Sequence, residues 1–251
     1  MKKPLMAGNW KMHKTIAESV SFVHMLKTAI SDVKDVDALV CPTFICANAV
    51  YNEVKGSNIN VGAQDLFWEE KGAFTGEVSA FMLKDAGCSY VLVGHSERRQ
   101  YFGEVDKTVN KKVKAALLNG IVPIVCVGET LREREENTTF KVIEKQVKES
   151  LSDLSQEGAS KLVIAYEPVW AIGTGKTATP QQAQEVHAFI RHIHSQLYKN
   201  AADKVRILYG GSVKPDNVSE LMKQPDIDGG LVGSASLEVE SFVKLVKYSK
   251  N

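Results

Sequence analysis

Short, continuously apolar runs recur along the chain, and each is followed by a stretch with apolar residues at helical spacing. Runs of this kind are typical of strands buried on both faces, as in parallel sheets. The intervening stretches predict helices, most clearly over 16–30, 182–197 and 238–248. The predicted strands cover 5–9, 38–41, 59–62, 90–94, 121–128, 162–166, 205–209 and 230–233.

Capping residues predict where two of the helices begin. Thr179 is followed by Pro180 and, three residues after itself, by Gln182, which is the pattern of an N-cap with proline at the first helical position. Pro215 similarly predicts a helix start after the seventh strand. In the first helix, we expect one buried stripe made of Ile16, Val20, Val23, Leu26 and Ile30.

Eight strand–helix units over 251 residues give about 31 residues per unit. No linker or change in composition divides the chain, so we predict a single domain over 1–251. Alternating strands and helices over this length favour an α/β fold of the (β/α)8 barrel type. An open, doubly wound sheet gives the same local pattern, and periodicity alone does not separate the two.

Composition and charge exclude several classes of protein. The chain is 44% hydrophobic and 24% charged, which is ordinary for a globular protein. Its 31 basic and 30 acidic residues leave a net charge of +1, which argues against nucleic-acid binding through bulk positive charge. No apolar run is long enough to cross a membrane, and the N-terminal one is too short for a secretory signal, so we expect a cytoplasmic protein.

The four cysteines predict neither a metal site nor disulfides. Cys41, Cys46, Cys88 and Cys126 lie in apolar surroundings, without the paired Cys and His spacing of a zinc site. We therefore expect them to pack in the core as free thiols.

Polar residues cluster directly after the predicted strands, where the active sites of barrel enzymes lie. Asn9 and Lys11 follow the first strand, His95 the fourth and Glu167 the sixth. The last two strands are followed by glycine- and serine-containing loops, 210–212 and 233–236. Backbone N–H groups in such loops can approach an anion closely, so the pair predicts a phosphate site. Considered alone, each loop is explained equally well as a tight strand-to-helix turn.

The segment 173–178 imitates two nucleotide-binding motifs but fits neither. Its Gly175-Lys176-Thr177 ending resembles a P-loop, yet Trp170 stands where the first glycine is required. A dinucleotide turn would follow its strand more tightly and would need an acidic residue downstream. We interpret 168–176 as a mobile lid with fixed ends.

Three side chains are candidates for chemistry, and each also has an ordinary structural explanation. Glu167 precedes a proline, which favours extended backbone, and a water-poor site would raise its pKa and make it a useful base. His95 opens a helix, where the dipole favours a neutral ring. Taken alone, Glu167 fits a surface ion pair, His95 a structural histidine and Lys11 a solvated cation. His187, His192 and His194 look solvated or otherwise satisfied, and the charged run 132–136 predicts a solvent-facing helix.

Together these segments resemble the triosephosphate isomerase family. The matching stretches are 7–12 (AGNWKM), 72–77 (GAFTGE), 94–99 (GHSERR), 165–175 (AYEPVWAIGTG) and 209–213 (YGGSV), in family order. The resemblance implies a homodimeric (β/α)8 barrel of glycolysis and gluconeogenesis. It also implies interconversion of dihydroxyacetone phosphate and D-glyceraldehyde 3-phosphate, with no cofactor and no metal.

The resemblance also implies a role for each candidate residue. Glu167 would be the base that moves a proton between two substrate carbons, His95 the neutral electrophile, and Lys11 the cation that offsets negative charge. Glu97 would support the site, and Thr75 would lie in a loop that reaches into a neighbouring subunit. The residues implied to bind substrate are Asn9, Lys11, Gly173, Ser212, Gly233 and Ser234.

Two positions depart from the family pattern. Ser234 stands where a second glycine is usual, and we expect a modest change in affinity because the backbone donor is kept. Asp65 stands where asparagine is frequent, which puts the charge of the expected dimer interface in doubt. Two alternatives remain: another phosphate-binding barrel enzyme, acting for instance on sugar or indole phosphates, or an inactive barrel that serves as an interaction protein.

Overall fold

The computed structural model describes residues 2–172 and 177–248, and within them eight parallel strands close into a barrel. Each strand pairs with its neighbours in chain order, and the eighth pairs with the first. The barrel prediction is confirmed, and the open sheet is excluded. The strands are β1 (Leu5–Asn9), β2 (Asp37–Cys41), β3 (Ile59–Ala63), β4 (Tyr90–Val93), β5 (Val122–Val127), β6 (Val163–Tyr166), β7 (Arg206–Tyr209) and β8 (Gly229–Val232).

The barrel closes where β8 meets β1. Leu5 is in register with Asp37 of β2 on one side and with Gly229 of β8 on the other. Gly229 has a φ of +147°, and a Cβ at this position would collide with the backbone carbonyl of Leu5. Closure at this point therefore requires glycine.

Helices cover the outside of the barrel. The long helix α9 begins as predicted: the Thr179 hydroxyl accepts the N–H of Gln182, and the Gln182 side chain accepts the N–H of Thr179. The helices are α1 (Ile16–Ala29), α2 (Phe44–Val54), α3 (Ala80–Asp85), α4 (Ser96–Tyr101), α5 (Asp106–Leu118), α6 (Leu131–Glu135), α7 (Thr139–Ser150), α8 (Gln156–Ser160), α9 (Pro180–Tyr198), α10 (Val218–Met222) and α11 (Val239–Val246).

Two helix predictions need correction. Ile16 is 50% exposed and Val20 only half-buried, because α1 turns Ser19 and Phe22 towards the barrel together with Val23, Leu26 and Ile30. Residues 215–217 form a turn, and α10 begins at Val218 rather than at Pro215.

The buried apolar residues form two layers. One fills the barrel interior and is made of alternate strand residues such as Leu5, Leu39, Leu92 and Leu208. The larger layer lies between the strands and the helices. All four cysteines are buried and free, which confirms their expected place in the core.

The three histidines of α9 were expected to be solvated or otherwise satisfied. His192 is exposed, whereas His187 and His194 are fully buried, and each of these two has one ring nitrogen without a partner among the described residues. The other ring nitrogens contact the carbonyl oxygens of Asp226 and Ala159. By contrast, α6 carries the charged run at the surface, as predicted.

Within the described ranges, no helix is long and apolar enough to cross a membrane. The same residues contain no cluster of three or more His, Cys, Asp or Glu side chains arranged to hold a metal ion.

Candidate active site

A cavity of about 420 Å³ opens at the carboxyl ends of the strands, where the sequence predicts the site. Glu97 lies beside the cavity rather than on its wall. Gly173 lies outside the described residues, as does the rest of the predicted lid after Ile172, residues 174–176. The other predicted site residues all line it: Asn9, Lys11, His95, Glu167, Ser212, Gly233 and Ser234.

Glu167 and His95 face each other in this cavity. His95 Nε2 lies 2.9 Å from Glu167 Oε1, and the two residues are only 5% and 3% exposed. Glu167 directly follows β6, and its N–H donates to the Val127 carbonyl of β5. Its second carboxylate oxygen accepts the backbone N–H of Ser96 at 3.1 Å.

The surroundings of His95 select one tautomer of the neutral ring. His95 caps the N-terminus of α4, and its Nδ1 accepts the backbone N–H of Glu97 at 3.2 Å. Because Nδ1 is an acceptor here, the neutral ring carries its proton on Nε2, the nitrogen that faces Glu167.

The pKa values of Glu167 and His95 both differ from what the sequence predicts. Burial raises the pKa of Glu167, but His95, the Ser96 N–H and Lys11 together outweigh burial and lower it below its ordinary value. Burial lowers the pKa of His95, yet Glu167 and Glu97 together raise it above its ordinary value. The expected raised carboxylate pKa is therefore wrong for this arrangement. The contact with Glu167 also opposes the neutral ring that the Nδ1 hydrogen bond favours.

Lys11 is held in an unusual backbone conformation beside the pair. Its φ is +52°, which costs free energy for a residue with a side chain and is typical of functional positions. The Asn9 side chain accepts the Lys11 N–H at 3.0 Å, and Gln64 donates to the Lys11 carbonyl at 2.8 Å. The Lys11 ammonium lies 2.6 Å from a Glu97 carboxylate oxygen.

Two backbone donors at the other end of the cavity suit an anion. Within the described ranges, nothing accepts the N–H of Ser212 or of Ser234. Ser234 opens a short 3₁₀ segment, Ser234–Ser236, so its N–H is one of the donors that such a segment leaves unpaired. Lys214 lines the same part of the cavity.

Comparison with known proteins decides the family. The sequence model of the triosephosphate isomerase family matches residues 4–249. The chain belongs to the triosephosphate isomerase family. It is 70% identical to the triosephosphate isomerase of Endomicrobium trichonymphae, over 100% of both chains. It is 57% identical to that of Trichlorobacter lovleyi, over 99% of both. The crystal structure of triosephosphate isomerase from Bartonella henselae covers 100% of both chains with a TM-score of 0.91 and 39% identity.

Asp65, which departs from the usual pattern of the triosephosphate isomerase family, lies inside the protein. Asp65 is 5% exposed and pairs with Lys112 at 2.6 Å and with Arg98 at 2.9 Å. Lys112 and Arg98 also contact Glu104, so two cations and two carboxylates form a balanced cluster in which Arg98 is half-buried and the other three side chains are buried. Burial is the largest influence on Asp65 and raises its pKa to about 6.

Several residues that shape this triosephosphate isomerase-type site escaped the sequence analysis. Gln64 holds Lys11, and Ser96 binds Glu167 through its backbone. Glu129 is fully buried and accepts hydrogen bonds from the Tyr166 hydroxyl and the Trp170 indole, which anchors the start of the 168–172 segment. Their contacts join residues far apart in the chain, and no local pattern in the sequence indicates them.

Proposed function

We propose that this chain interconverts dihydroxyacetone phosphate and D-glyceraldehyde 3-phosphate by proton transfer through an enediolate. One observation carries the proposal: a buried carboxylate and an imidazole N–H face each other at 2.9 Å in a cavity that also holds two glycine- and serine-containing loops. Membership of the triosephosphate isomerase family supports the same reaction.

Glu167 would act as the base. Its lowered pKa keeps it ionised at neutral pH, so it can accept a proton. The carboxylate removes a proton from the carbon beside the substrate carbonyl, the electron pair moves to the carbonyl oxygen, and an enediolate results. The same carboxyl then returns the proton to the neighbouring carbon, and the carboxylate is regenerated.

His95 would stabilise the charge that forms on oxygen. Its Nε2–H points into the cavity, where it can donate to the oxygen of the enediolate. A substrate bound between Glu167 and His95 replaces their direct contact. The influence of Glu167 on the His95 pKa then weakens, while the Glu97 N–H continues to favour the neutral ring.

Lys11 and the two loops would bind the substrate anion. Lys11, oriented by Asn9 and Glu97, offsets negative charge on the substrate and on the enediolate. The backbone N–H groups of Ser212, Gly233 and Ser234 would bind the phosphate, and Gly173 would join them from the lid. We propose no metal and no cofactor for these steps.

A coupled assay for each direction of triose phosphate turnover tests this function. We expect activity in buffer containing a metal chelator, with inhibition by a phosphorylated hydroxamate that mimics the planar enediolate. Turnover of another phosphorylated sugar instead would indicate a different phosphate-binding barrel enzyme. Binding of the mimic without turnover would indicate an inactive barrel.

The exposed apolar surface supports a homodimer. The segments that follow β1 to β4 expose Met12, Ile45, Phe74, Tyr101 and Phe102 by 42–92%. Thr75 lies in one of them and is exposed. Apolar exposure of this extent is typical of an interface, and we propose that a second copy of the chain covers it.

Sedimentation tests the homodimer. We expect the parent to sediment as a dimer and Ile45→Asp as a monomer. Leu118→Asp, which alters a side chain that is 88% exposed at the end of α5, should remain dimeric. A monomeric parent would contradict the proposal. We also propose a cytoplasmic location, which the four free cysteines support and cell fractionation would check.

A further inference from the structure

Arg99 lies one helical turn after His95 and connects three parts of the barrel. Its guanidinium donates from Nε to the Gly94 carbonyl at 2.8 Å and from Nη2 to the Cys126 carbonyl at 3.3 Å. Its Nη1 pairs with the Asp106 carboxylate at 2.6 Å, and the side chain is 18% exposed. The three contacts join the end of β4, the strand β5 and the first turn of α5.

The contact with Gly94 acts directly on the backbone of His95. The Gly94 carbonyl and the His95 N–H belong to one planar peptide unit. A donor that binds this carbonyl therefore fixes the orientation of the peptide plane to which the His95 Cα is attached. The Gly94 N–H is held as well, because it donates to Glu104 at 3.1 Å. Gly94 has a φ of +72°, a region that favours glycine.

The contact with Cys126 acts on the strand behind Glu167. Cys126 is paired in register with Ala165 of β6, two residues before Glu167. The next residue of β5, Val127, accepts the N–H of Glu167. Arg99 thus joins the backbone that carries His95 to the strand that carries the backbone partner of Glu167.

We propose that Arg99 is a positioning residue that sets the distance and orientation of His95 relative to Glu167. This inference rests on the proposed function only in its prediction for turnover. Arginine is required because three acceptors in different directions need the forked donors of a guanidinium. A lysine ammonium on a flexible stem would not hold all three.

The chain offers a matched control for the loss of a half-buried arginine. Arg191 is 17% exposed and also binds both carboxylates and backbone carbonyls, namely Asp226, Asp228, Ala202 and Val205. It does not line the cavity. Arg99→Lys and Arg191→Lys both disrupt guanidinium contacts with carboxylates and with backbone carbonyls, three at Arg99 and five at Arg191. The control therefore loses at least as many contacts, but only the Arg99 change reaches His95.

The first measurement compares kcat, KM and inhibitor affinity in the parent and both variants. We expect Arg99→Lys to lower kcat about 10- to 100-fold, because a displacement near 1 Å costs on this order, with KM within about threefold. The enediolate mimic should lose affinity by a similar factor, whereas glycerol 3-phosphate, which has no enediolate oxygen, should bind as in the parent. Arg191→Lys should keep kcat and both affinities. Equal changes in the two variants, or equal losses for both ligands, would overturn the proposal.

The second measurement does not depend on turnover. The ¹⁵N signals of the His95 ring report whether Nδ1 remains the acceptor, and we expect Arg99→Lys to broaden or shift them while Arg191→Lys leaves them in place. An inactive parent would refute the proposed function, but the ring signals would still decide the role of Arg99. Should Arg99→Lys fail to fold, Asp106→Ala keeps Arg99 and removes the acceptor of its Nη1. A threefold to tenfold loss of kcat with the same inhibitor pattern is then expected, and unchanged kcat and ring signals would overturn the proposal.

Discussion

Glu167 is constrained in two independent ways. Its backbone is fixed by β5 through Val127 and by the proline that follows, and its carboxylate is held by His95 and the Ser96 N–H. Chemistry that depends on the reach of one carboxylate should therefore be sensitive to side-chain length.

Glu167→Asp tests this sensitivity. The change keeps the charge and withdraws the carboxylate by about one methylene, and we expect kcat to fall on the order of 10²-fold. Steady-state kinetics in both directions provide the measurement, with Glu144→Asp on the surface of α7 as a control for the same substitution. Turnover within a few-fold of the parent would remove Glu167 from the role of base.

Ser234→Gly tests the departure from the family pattern. Ser234 does not have a positive φ, so its backbone conformation does not require glycine. The N–H donor is present with either residue. We expect KM to change by less than about threefold. A large increase in activity would show instead that the serine side chain impedes phosphate binding.

Sequence and structure agree about which residues share the cavity but differ about their charges. Asn9, Lys11, His95 and Glu167 could be grouped in advance because each follows a strand, and parallel strands of a barrel end at one face. The pKa directions of Glu167 and His95 could not be predicted. They depend on the 2.9 Å contact between side chains 72 positions apart in the sequence.

At the scale of elements, strand positions were predictable to within about one residue because continuous apolar runs are bounded by polar ends. The buried faces and the first residues of the helices were less predictable. The buried face of α1 includes Ser19, and the start of α10 is displaced by a turn after Pro215. Both depend on how a helix rests against the barrel, which spacing along one segment does not specify.

The cap of α9 provides a prediction at this scale. Thr179→Ala removes the acceptor for the Gln182 N–H and should destabilise the protein by about 1 kcal/mol. A fall in Tm of roughly 2–4 °C follows for a protein of this size. Thr179→Ser retains the hydroxyl and should melt close to the parent in the same calorimetric experiment. Equal melting of Thr179→Ala and Thr179→Ser would show that the cap contributes nothing.

At the scale of the whole molecule, two buried histidines couple stability to pH. Burial lowers the pKa of His187 and of His194 to about 4, whereas a histidine in an unfolded chain titrates near 6.5. Between these values the unfolded chain binds protons that the folded protein does not. The free energy of unfolding should therefore fall as the pH drops from about 6.5 towards 4.

The double variant His187→Asn, His194→Gln tests this coupling. Each buried histidine contributes at most about 1.4 kcal/mol per pH unit to the slope of the unfolding free energy against pH. The variant should therefore lose most of the pH dependence between about pH 4 and 6.5. Urea unfolding at a series of pH values and one protein concentration gives the slope. His192→Asn, an exposed position on the same helix, should behave as the parent. An unchanged slope in the double variant would show that these two histidines do not cause the pH dependence of stability.

The barrel itself could be favoured from the sequence but not decided. Strand–helix alternation is shared with open sheets, and the distinguishing contact pairs Leu5 with Gly229, which no local periodicity encodes. The prediction of a single domain over 1–251 stays a prediction.

The junction of β1 with β8 has a consequence for how the protein is made. During synthesis from the N-terminus, one side of β1 has no partner until residues 229–232, which form β8, have left the ribosome. Until then the growing polypeptide presents an unprotected sheet edge, of the kind that promotes aggregation. The first strand to be made is therefore the one that waits longest for its second neighbour.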